Sequence, residues 1–83
     1  MRILVTGGAG YVGSHIAVEL LQRGDEVVVV DSLERGYREA VERASAIAGR
    51  PIALLVGDLC DRTFLDAVFE DAPVDAVLHC AAF

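Results

Sequence analysis

A glycine-rich segment, TGGAGYVG, occupies residues 6–13 and follows a short, mostly apolar run at residues 2–6. From Tyr11 to Arg23, apolar side chains recur every three or four positions, with polar side chains between them. This change of period predicts a strand buried on both faces, then a tight turn, then an amphipathic helix that ends before Gly24. The predicted apolar face of that helix consists of Val12, Ile16, Ala17, Leu20 and Leu21.

Four consecutive valines between Glu26 and Asp31 form the second predicted strand. The run has no polar alternation, so it suits a parallel strand that helices cover on both sides. Further along, apolar patterns and glycine or proline breaks predict four more elements. These are a helix at residues 37–48 with Tyr37, Ala40, Val41, Ala44, Ile47 and Ala48 on its apolar face, a strand at 52–56, a helix capped by Asp61, and a strand at 74–79.

Strands and helices therefore alternate in the order β-α-β-α-β-α-β. Because right-handed helical crossovers join parallel strands, this order predicts an α/β fold, a Rossmann-type doubly wound parallel sheet truncated after its fourth strand. The expected strand order is 3-2-1-4, with the switch point between the first and fourth strands. The fourth strand would be an open apolar edge, so we expect the isolated chain to self-associate or to be partly molten.

Three glycines in the loop stand in G-x-x-G-x-x-G spacing and have distinct expected roles. Gly7 lets the chain turn sharply off the strand, Gly10 removes a Cβ that would hold a pyrophosphate away from the backbone, and Gly13 lets the helix approach the sheet. The free N–H groups of the helix's first turn, at its positive dipole end, would then bind the phosphates. In this strand-turn-helix context the spacing predicts dinucleotide binding, and the alternative is a tight turn without a ligand.

Acidic residues follow the second and third predicted strands. Asp31 follows Gly13 by 18 residues, close to the spacing of about twenty at which a carboxylate hydrogen-bonds the adenosine ribose. It would repel a 2′-phosphate, so NAD is favoured over NADP, although Arg35 would be able to neutralise a phosphate there. Asp58, after the third strand, would accept a hydrogen bond from the adenine amino group. The simpler alternatives are a turn or cap role for Asp31 and a loop cap for Asp58.

The composition narrows the range of partners. The chain has 83 residues, enough for one small domain, and its net charge of −6 opposes binding to nucleic acid or to an acidic membrane surface. Cys60 and Cys80 are far apart and no histidine cluster accompanies them, so we expect free thiols in a reducing cytoplasm and no metal site. His15 is expected to be solvated or capping, and His79 to be a hydrogen-bonded structural residue. The first apolar run is too short for a signal peptide or a membrane span, which favours a soluble, cytoplasmic protein.

Four motifs together resemble the extended short-chain dehydrogenase/reductase family. They are TGGAGYVGSH at residues 6–15, DSL at 31–33, GDL at 57–59 and HCAA at 79–82. Within this family the chain is most similar to the amino-terminal part of nucleotide-sugar epimerases, on the basis of YVGSH and the Asp-x-Leu turn. It departs from their usual pattern at Ser32, where they often have asparagine, and at residues 80–82, where they often have Phe-Ala-Gly.

The resemblance implies that residues 1–83 are a partial NAD(P)-binding domain of a longer protein, with NAD as cofactor. Tyr11 and Val12 would contact the pyrophosphate, and the turn after Asp31 would wrap the adenosine ribose. Further along, Asp58 and Leu59 would flank adenine, while Cys80 and Ala81 would pass beneath the ribose and nicotinamide. The complete set of expected cofactor contacts is Gly7, Gly10, Tyr11, Val12, Gly13, Asp31, Ser32, Leu33, Arg35, Gly36, Asp58, Leu59, Cys80 and Ala81.

The resemblance also implies an activity for the whole protein. Such epimerases interconvert UDP-glucose and UDP-galactose through a transient 4-keto sugar, with NAD storing the hydride as NADH. They use a tyrosine with a lysine four residues further on to move the proton of the sugar hydroxyl. This chain has no lysine, so it supplies no catalytic residue and is expected to be inactive alone. The alternatives are the same part of a nucleotide-sugar dehydratase or decarboxylase, or a non-catalytic dinucleotide-binding module. The expected partners are NAD, a nucleotide sugar and, for the whole protein, a second copy in a homodimer.

Overall fold

The computed structural model of the protein describes residues 1–33, 36–71 and 73–80. Within these residues strands and helices alternate along the chain. Their order is β1 (Arg2–Thr6), α1 (Tyr11–Gln22), β2 (Glu26–Asp31), α2 (Arg38–Ala48), β3 (Ala53–Val56), α3 (Arg62–Asp71) and β4 (Ala76–His79). None of the helices in this described part is long and apolar enough to cross a membrane.

The four strands form one parallel sheet in the order β3-β2-β1-β4. β1 is central, with Leu4 in register with Val28 of β2 on one side and with Val77 of β4 on the other. The predicted α/β class and strand order are therefore confirmed. Because all strands run in one direction, their carboxyl ends share one edge of the sheet, where the crevice between β1 and β4 is the switch point.

The valines of β2 show how the sheet is buried on both faces. All of them, Val27 to Val30, are at most 6% exposed. Two of the four belong to a core cluster with Leu21 of α1 and Val41 of α2, and the other two to a second cluster with Val68 of α3. Helices α1 and α2 thus cover one face and α3 the other, as the unbroken valine run predicts for a parallel strand.

The helices on the first face bury fewer side chains than their periodicity predicts. The buried positions are Gly13, Ala17, Leu20 and Leu21 in α1, and Val41 and Ala44 in α2. Three residues assigned to apolar faces are exposed instead, Val12 by 62%, Tyr37 by 70% and Ile47 by 61%, so their assignment was wrong. Val12 lies in the first turn of α1, Tyr37 at the N-cap of α2, and Ile47 in the last turn of α2.

Element ends shift slightly from the predicted ones. Three of them move by one residue, while β4 begins at Ala76, two residues later than predicted. Pro73 has no N–H to donate to the ladder. The N–H of Asp75 donates to the carbonyl of Arg2, and the N–H of Arg2 donates to the carboxylate of Asp75, each at 2.8 Å. The regular register of β1 with β4 begins at the next pair, Ile3 and Ala76.

β4 is an edge strand of the sheet that the described residues form. Its side chains Val77 and Leu78 are 49% and 39% exposed, and Phe69 of α3 is 45% exposed. Val77 is in register with Leu4 and Leu78 with Val5, and these two β1 residues belong to different core clusters. Both faces of β4 are therefore only partly covered, in contrast to the buried valines of β2.

Candidate dinucleotide-binding site

The loop between β1 and α1 forms a tight turn at the carboxyl end of the sheet. Gly7 has a φ of 72°, in the left-handed region that favours glycine, and its N–H donates to the carbonyl of Val30 at 2.8 Å. The N–H of Gly10 donates to the carbonyl of Gly7 at 3.1 Å. The bond from Gly10 to Gly7 closes a tight turn, and the positive φ of Gly7 confirms its predicted conformational role.

Two glycines of the loop are required by the protein's own packing. A Cβ on Gly13 would overlap the carbonyl oxygen of Gly7 and lie 2.8 Å from the Cα of Gly8. A Cβ on Gly8 would lie 2.7 Å from both methyl carbons of Val29. The close approach predicted for Gly13 is thus made to the loop backbone rather than to the strands. The spacing did not single out Gly8, because the side chain it meets belongs to the next strand.

Gly10 is different, because the fold does not demand a glycine there. Its φ of −83° and ψ of 176° are ordinary extended values. A Cβ at this position would have one heavy atom of the described structure within 4 Å, the carbonyl oxygen of Gly7 at 3.4 Å. The remaining space faces outward at the start of α1. A glycine here is what a backbone needs when a bound group approaches it closely.

The start of α1 offers unpaired hydrogen-bond donors. None of the described residues accepts a hydrogen bond from the backbone N–H groups of Tyr11, Val12 or Gly13, and the N-cap Gly10 provides no side-chain cap. The first turn also carries no acidic residue. These donors and the positive end of the helix dipole suit an anion, so the residues present fit the pyrophosphate of a dinucleotide.

Asp31, the last residue of β2, has its carboxylate nearly buried, with the residue 9% exposed. Its Oδ2 accepts a hydrogen bond from the N–H of Ala9 at 3.0 Å, and its Oδ1 accepts one from the N–H of Leu33 at 2.7 Å. Asp31 therefore does stabilise the turn, which is the simpler alternative that the sequence left open for it. Each oxygen still has a second lone pair, so the carboxylate also retains acceptor capacity for ribose hydroxyls. Leu33 has a φ of 66°, an uncommon conformation for leucine that these contacts help to hold.

Ala9, in the middle of the loop, is fixed from several sides and is 1% exposed. Besides its bond to Asp31, its carbonyl accepts the N–H of Tyr37 at 3.1 Å. A Cβ on Gly36 would lie between 2.7 and 2.9 Å from the carbonyl carbon, the oxygen and the Cβ of Ala9. We call these contacts of Ala9 with Asp31, Gly36 and Tyr37 the Ala9 contacts. The sequence did not indicate them, because Ala9 stands at one of the variable positions between the spaced glycines.

Asp58 and Leu59 follow β3 at the same edge of the sheet. The Oδ1 of Asp58, an exposed residue, accepts the N–H of Cys60 at 2.8 Å, which is the loop-capping role considered from the sequence. Leu59 is half-buried beside the second core cluster. The N–H of Gly57 donates to the backbone carbonyl of Asp31 at 3.1 Å, so the ends of β2 and β3 lie side by side.

Polar contacts join the carboxyl ends of β1 and β4 beside the switch point. The hydroxyl of Thr6 lies 2.6 Å from Nδ1 of His79, and the N–H of Cys80 donates to the carbonyl of Thr6 at 2.8 Å. His79 is thus hydrogen-bonded, as predicted. Cys80 is half-buried against the first core cluster, and both cysteines are free. On α1, His15 is exposed, as its interpretation as a solvated residue predicts, and its Nδ1 lies 2.8 Å from the carbonyl oxygen of Tyr11 one turn earlier.

Two expected cofactor contacts, Arg35 and Ala81, lie outside the described residues. Ser32 is exposed just after Asp31. In the described part of the chain no group of three or more histidine, cysteine, aspartate or glutamate residues could hold a metal ion. The tyrosines, Tyr11 and Tyr37, are 80% and 70% exposed, and no lysine exists to accompany either.

Residues 3–83 match the sequence profile of the family described as the NAD dependent epimerase/dehydratase family. UDP-glucose 4-epimerases of Erwinia amylovora and Bacillus subtilis are each 48% identical to the chain over 81 residues, which are 98% of this chain and 24% of each relative. The chain therefore spans about a quarter of the length of these curated relatives.

Solved structures of UDP-glucose 4-epimerases are also similar to the chain. The UDP-glucose 4-epimerase of Bifidobacterium longum, in complex with NAD⁺ and UDP, superposes with a TM-score of 0.97 at 36% identity over 100% of this chain and 25% of that one. The enzyme of Stenotrophomonas maltophila, with bound NAD and a formylated UDP-arabinopyranose, gives 0.95 at 47% identity, again over 100% of this chain and 25% of that one. By its sequence, its strand order and its glycine loop, the chain belongs to the NAD-dependent epimerase/dehydratase family, within the extended short-chain dehydrogenases/reductases.

Proposed function

We propose that this chain is the NAD-binding part of a UDP-glucose 4-epimerase, an enzyme that interconverts UDP-glucose and UDP-galactose. The observation that carries the proposal is the start of α1, where free N–H groups lie beside the open space at Gly10 and near the carboxylate of Asp31. The identities of 48% to UDP-glucose 4-epimerases support the choice of reaction.

The chain's own residues would hold the adenosine diphosphate half of the cofactor. The N–H groups of Tyr11, Val12 and Gly13 would donate to the pyrophosphate oxygens, because they have no acceptor among the described residues. The loop carries no lysine and no arginine, so these donors and the helix dipole supply the attraction. Gly7 and Gly10 would keep the backbone close to the phosphates.

The adenosine end would lie over the carboxyl ends of β2 and β3. The free lone pairs of Asp31 would accept the ribose hydroxyls, and its negative charge would disfavour a 2′-phosphate, so NAD is preferred to NADP. The Oδ2 of Asp58 accepts no backbone N–H from the described residues, and it would accept from the adenine amino group beside Leu59. The proposal includes the remaining turn residues Ser32, Leu33, Arg35 and Gly36 around the ribose.

The nicotinamide end would lie at the crevice between β1 and β4. Cys80, held to Thr6 through its backbone N–H, would pass beneath the ribose and nicotinamide together with Ala81. When bound, the cofactor would supply the hydride acceptor and donor for the sugar carbon. The proton transfer requires a tyrosine and lysine pair that this chain does not contain, so we propose that the rest of the protein contributes it and that these 83 residues are inactive alone. A homodimeric whole protein in the cytoplasm is part of the same proposal.

The test uses the whole protein as expressed from its gene. NAD and NADP are titrated separately, and the protein is then incubated with UDP-galactose while the nucleotide-sugar product is identified by chromatography. We expect NAD to bind more tightly than NADP, and UDP-glucose to form. A dehydrated or decarboxylated sugar product would assign the protein to one of the related reactions, and a failure to bind NAD would reject the proposal altogether.

A further inference from the structure

We propose that Asp31 is a positioning residue for the phosphate loop as well as the expected ribose contact. Its carboxylate, together with Gly36 and Tyr37, fixes Ala9 and so sets where the N–H groups at the start of α1 point. The inference rests on the proposed function, because it concerns how the ribose and pyrophosphate parts of one NAD site depend on each other.

The hydrogen bond between Ala9 and Asp31 has the properties of a structural anchor. It is buried, it joins residues 22 positions apart, and its acceptor is a carboxylate. Charge-assisted bonds of this kind are about twice as strong as bonds between neutral groups. The N–H of Ala9 points at Asp31 and so is not available to a phosphate. Without the carboxylate, this buried N–H would have no acceptor, and the loop would have to move to find one.

A movement of Ala9 would also displace the N–H groups that would bind the phosphates. Ala9 lies between Gly7, which is tied to Val30, and Gly10, the N-cap of α1. The carbonyl of Gly10 accepts the first helical bond, from Ser14 at 3.0 Å. A shift at Ala9 therefore displaces the N-cap residue, and the free N–H groups of the next three residues follow it.

The residues that contact Ala9 are themselves fixed in place. Leu33 donates to Oδ1 and thereby fixes the orientation of the carboxylate that faces Ala9. Gly36 allows the chain to touch Ala9, since any side chain there would overlap it. The turn that would wrap the ribose and the loop that would bind the phosphates are thus one packed unit, and Asp31 belongs to both.

A ligand without ribose hydroxyls separates the two roles of Asp31. The 2′,3′-dideoxy form of adenosine 5′-diphosphate keeps the adenine and both phosphates but cannot donate to the carboxylate. If Asp31 acted on the ribose alone, its removal would leave the affinity for this ligand unchanged. If Asp31 positions the loop, its removal weakens the binding of this ligand too.

The experiment titrates ADP and 2′,3′-dideoxy-ADP into the whole protein, freed of nucleotide, as wild type and as the variants Asp31→Ala, Asp31→Asn and Asp61→Ala. We expect Asp31→Ala to weaken dideoxy-ADP binding by about tenfold, since the donors lose their preorganisation. Asp31→Asn should weaken it less, because the amide oxygen keeps one of the two acceptors. Asp61→Ala is the matched control: it removes an aspartate that also accepts a backbone N–H, but at the start of α3 and away from the loop.

Equal affinity of wild type and Asp31→Ala for dideoxy-ADP would overturn the inference. So would a loss of dideoxy-ADP affinity in the Asp61→Ala control as large as the loss in Asp31→Ala. A wild type that binds ADP but no dideoxy-ADP would overturn it as well. Should Asp31→Ala fail to fold, Gly36→Ala replaces it, because its methyl group would displace Ala9 while the carboxylate remains. An unchanged dideoxy-ADP affinity in that variant would also overturn the inference. A wild type that binds neither NAD nor ADP rejects the proposed function itself, whereas NAD binding with an insensitive dideoxy-ADP affinity rejects the positioning role alone.

Discussion

Replacing Gly10 with alanine should weaken NAD binding substantially while leaving the fold almost intact. The backbone at Gly10 has angles that alanine adopts readily, and the new Cβ would meet the carbonyl oxygen of Gly7 at 3.4 Å, an ordinary contact. Alanine at an N-cap costs about 0.5–1 kcal/mol relative to glycine, while the stiffer unfolded chain returns about 0.4–1 kcal/mol. The free energy of unfolding should therefore change by less than about 1 kcal/mol.

The effect on NAD binding should be larger, because the methyl group would occupy the space beside the free N–H groups of α1. Displacing the pyrophosphate from one of these donors removes a hydrogen bond to a charged group, about 1.5–3 kcal/mol. This corresponds to a loss of affinity of roughly 10- to 150-fold. Calorimetric titration of NAD and urea denaturation of the same samples measure the two quantities together.

Gly13→Ala is the matched comparison in the same loop. Its Cβ would overlap the carbonyl of Gly7 and lie 2.8 Å from the Cα of Gly8, and backbone atoms cannot rotate away. We expect it to lower the free energy of unfolding by about 1–3 kcal/mol or more. A Gly10→Ala protein that binds NAD like the wild type would refute the argument that this space belongs to the ligand. So would a Gly10→Ala protein that is as unstable as Gly13→Ala.

Asp31→Ala should weaken NAD binding by about 1.5–3 kcal/mol, or roughly 10- to 150-fold, and an unchanged affinity in a calorimetric titration would remove Asp31 from the site. Asp61→Ala should lower the free energy of unfolding by about 0.5–2 kcal/mol in urea denaturation, because its carboxylate caps α3 through the N–H of Phe64 at 3.2 Å, while NAD affinity stays the same. Val77→Lys should reduce self-association of the 83-residue chain in sedimentation velocity, since it places a charge on the 49% exposed apolar edge strand. A wild-type chain that sediments as a monomer and melts sharply would contradict the basis of that expectation.

The architecture could be predicted from the sequence because its signals are local. The valine run of β2 and the glycines after α1 and α2 each act within a few residues, and the order of elements then leaves few parallel topologies. Helix ends were less predictable. Val12 and Ile47 continue the apolar period of their helices, yet they are exposed, since periodicity does not say where the covering strands stop.

Within the site, the sequence could indicate residue types but not which contact each one makes. The G-x-x-G-x-x-G spacing treats its three glycines alike, whereas the structure separates them: Gly7 is needed for a positive φ, Gly13 for packing, and Gly10 by nothing within the described protein. The Ala9 contacts could not be predicted from the sequence. Their partners lie at the end of β2 and in the β2–α2 connection, and they come close to Ala9 only because β1 and β2 pair in parallel.

A net charge of −6 does not oppose the proposed binding of two phosphates, because the attraction would be local. The donors are backbone N–H groups with no acidic neighbour in the first turn of α1. Asp31, which contacts the loop at Ala9, has both oxygens bonded to the N–H groups of Ala9 and Leu33. Sites built from lysine and arginine on the surface lose affinity steeply with salt, since mobile ions screen exposed charges. A site built from fixed dipoles in a tight turn should respond less. We therefore expect NAD affinity to fall by less than about threefold between 50 mM and 500 mM sodium chloride, and a much steeper fall would show that a basic side chain, such as Arg35, carries the phosphate contact instead.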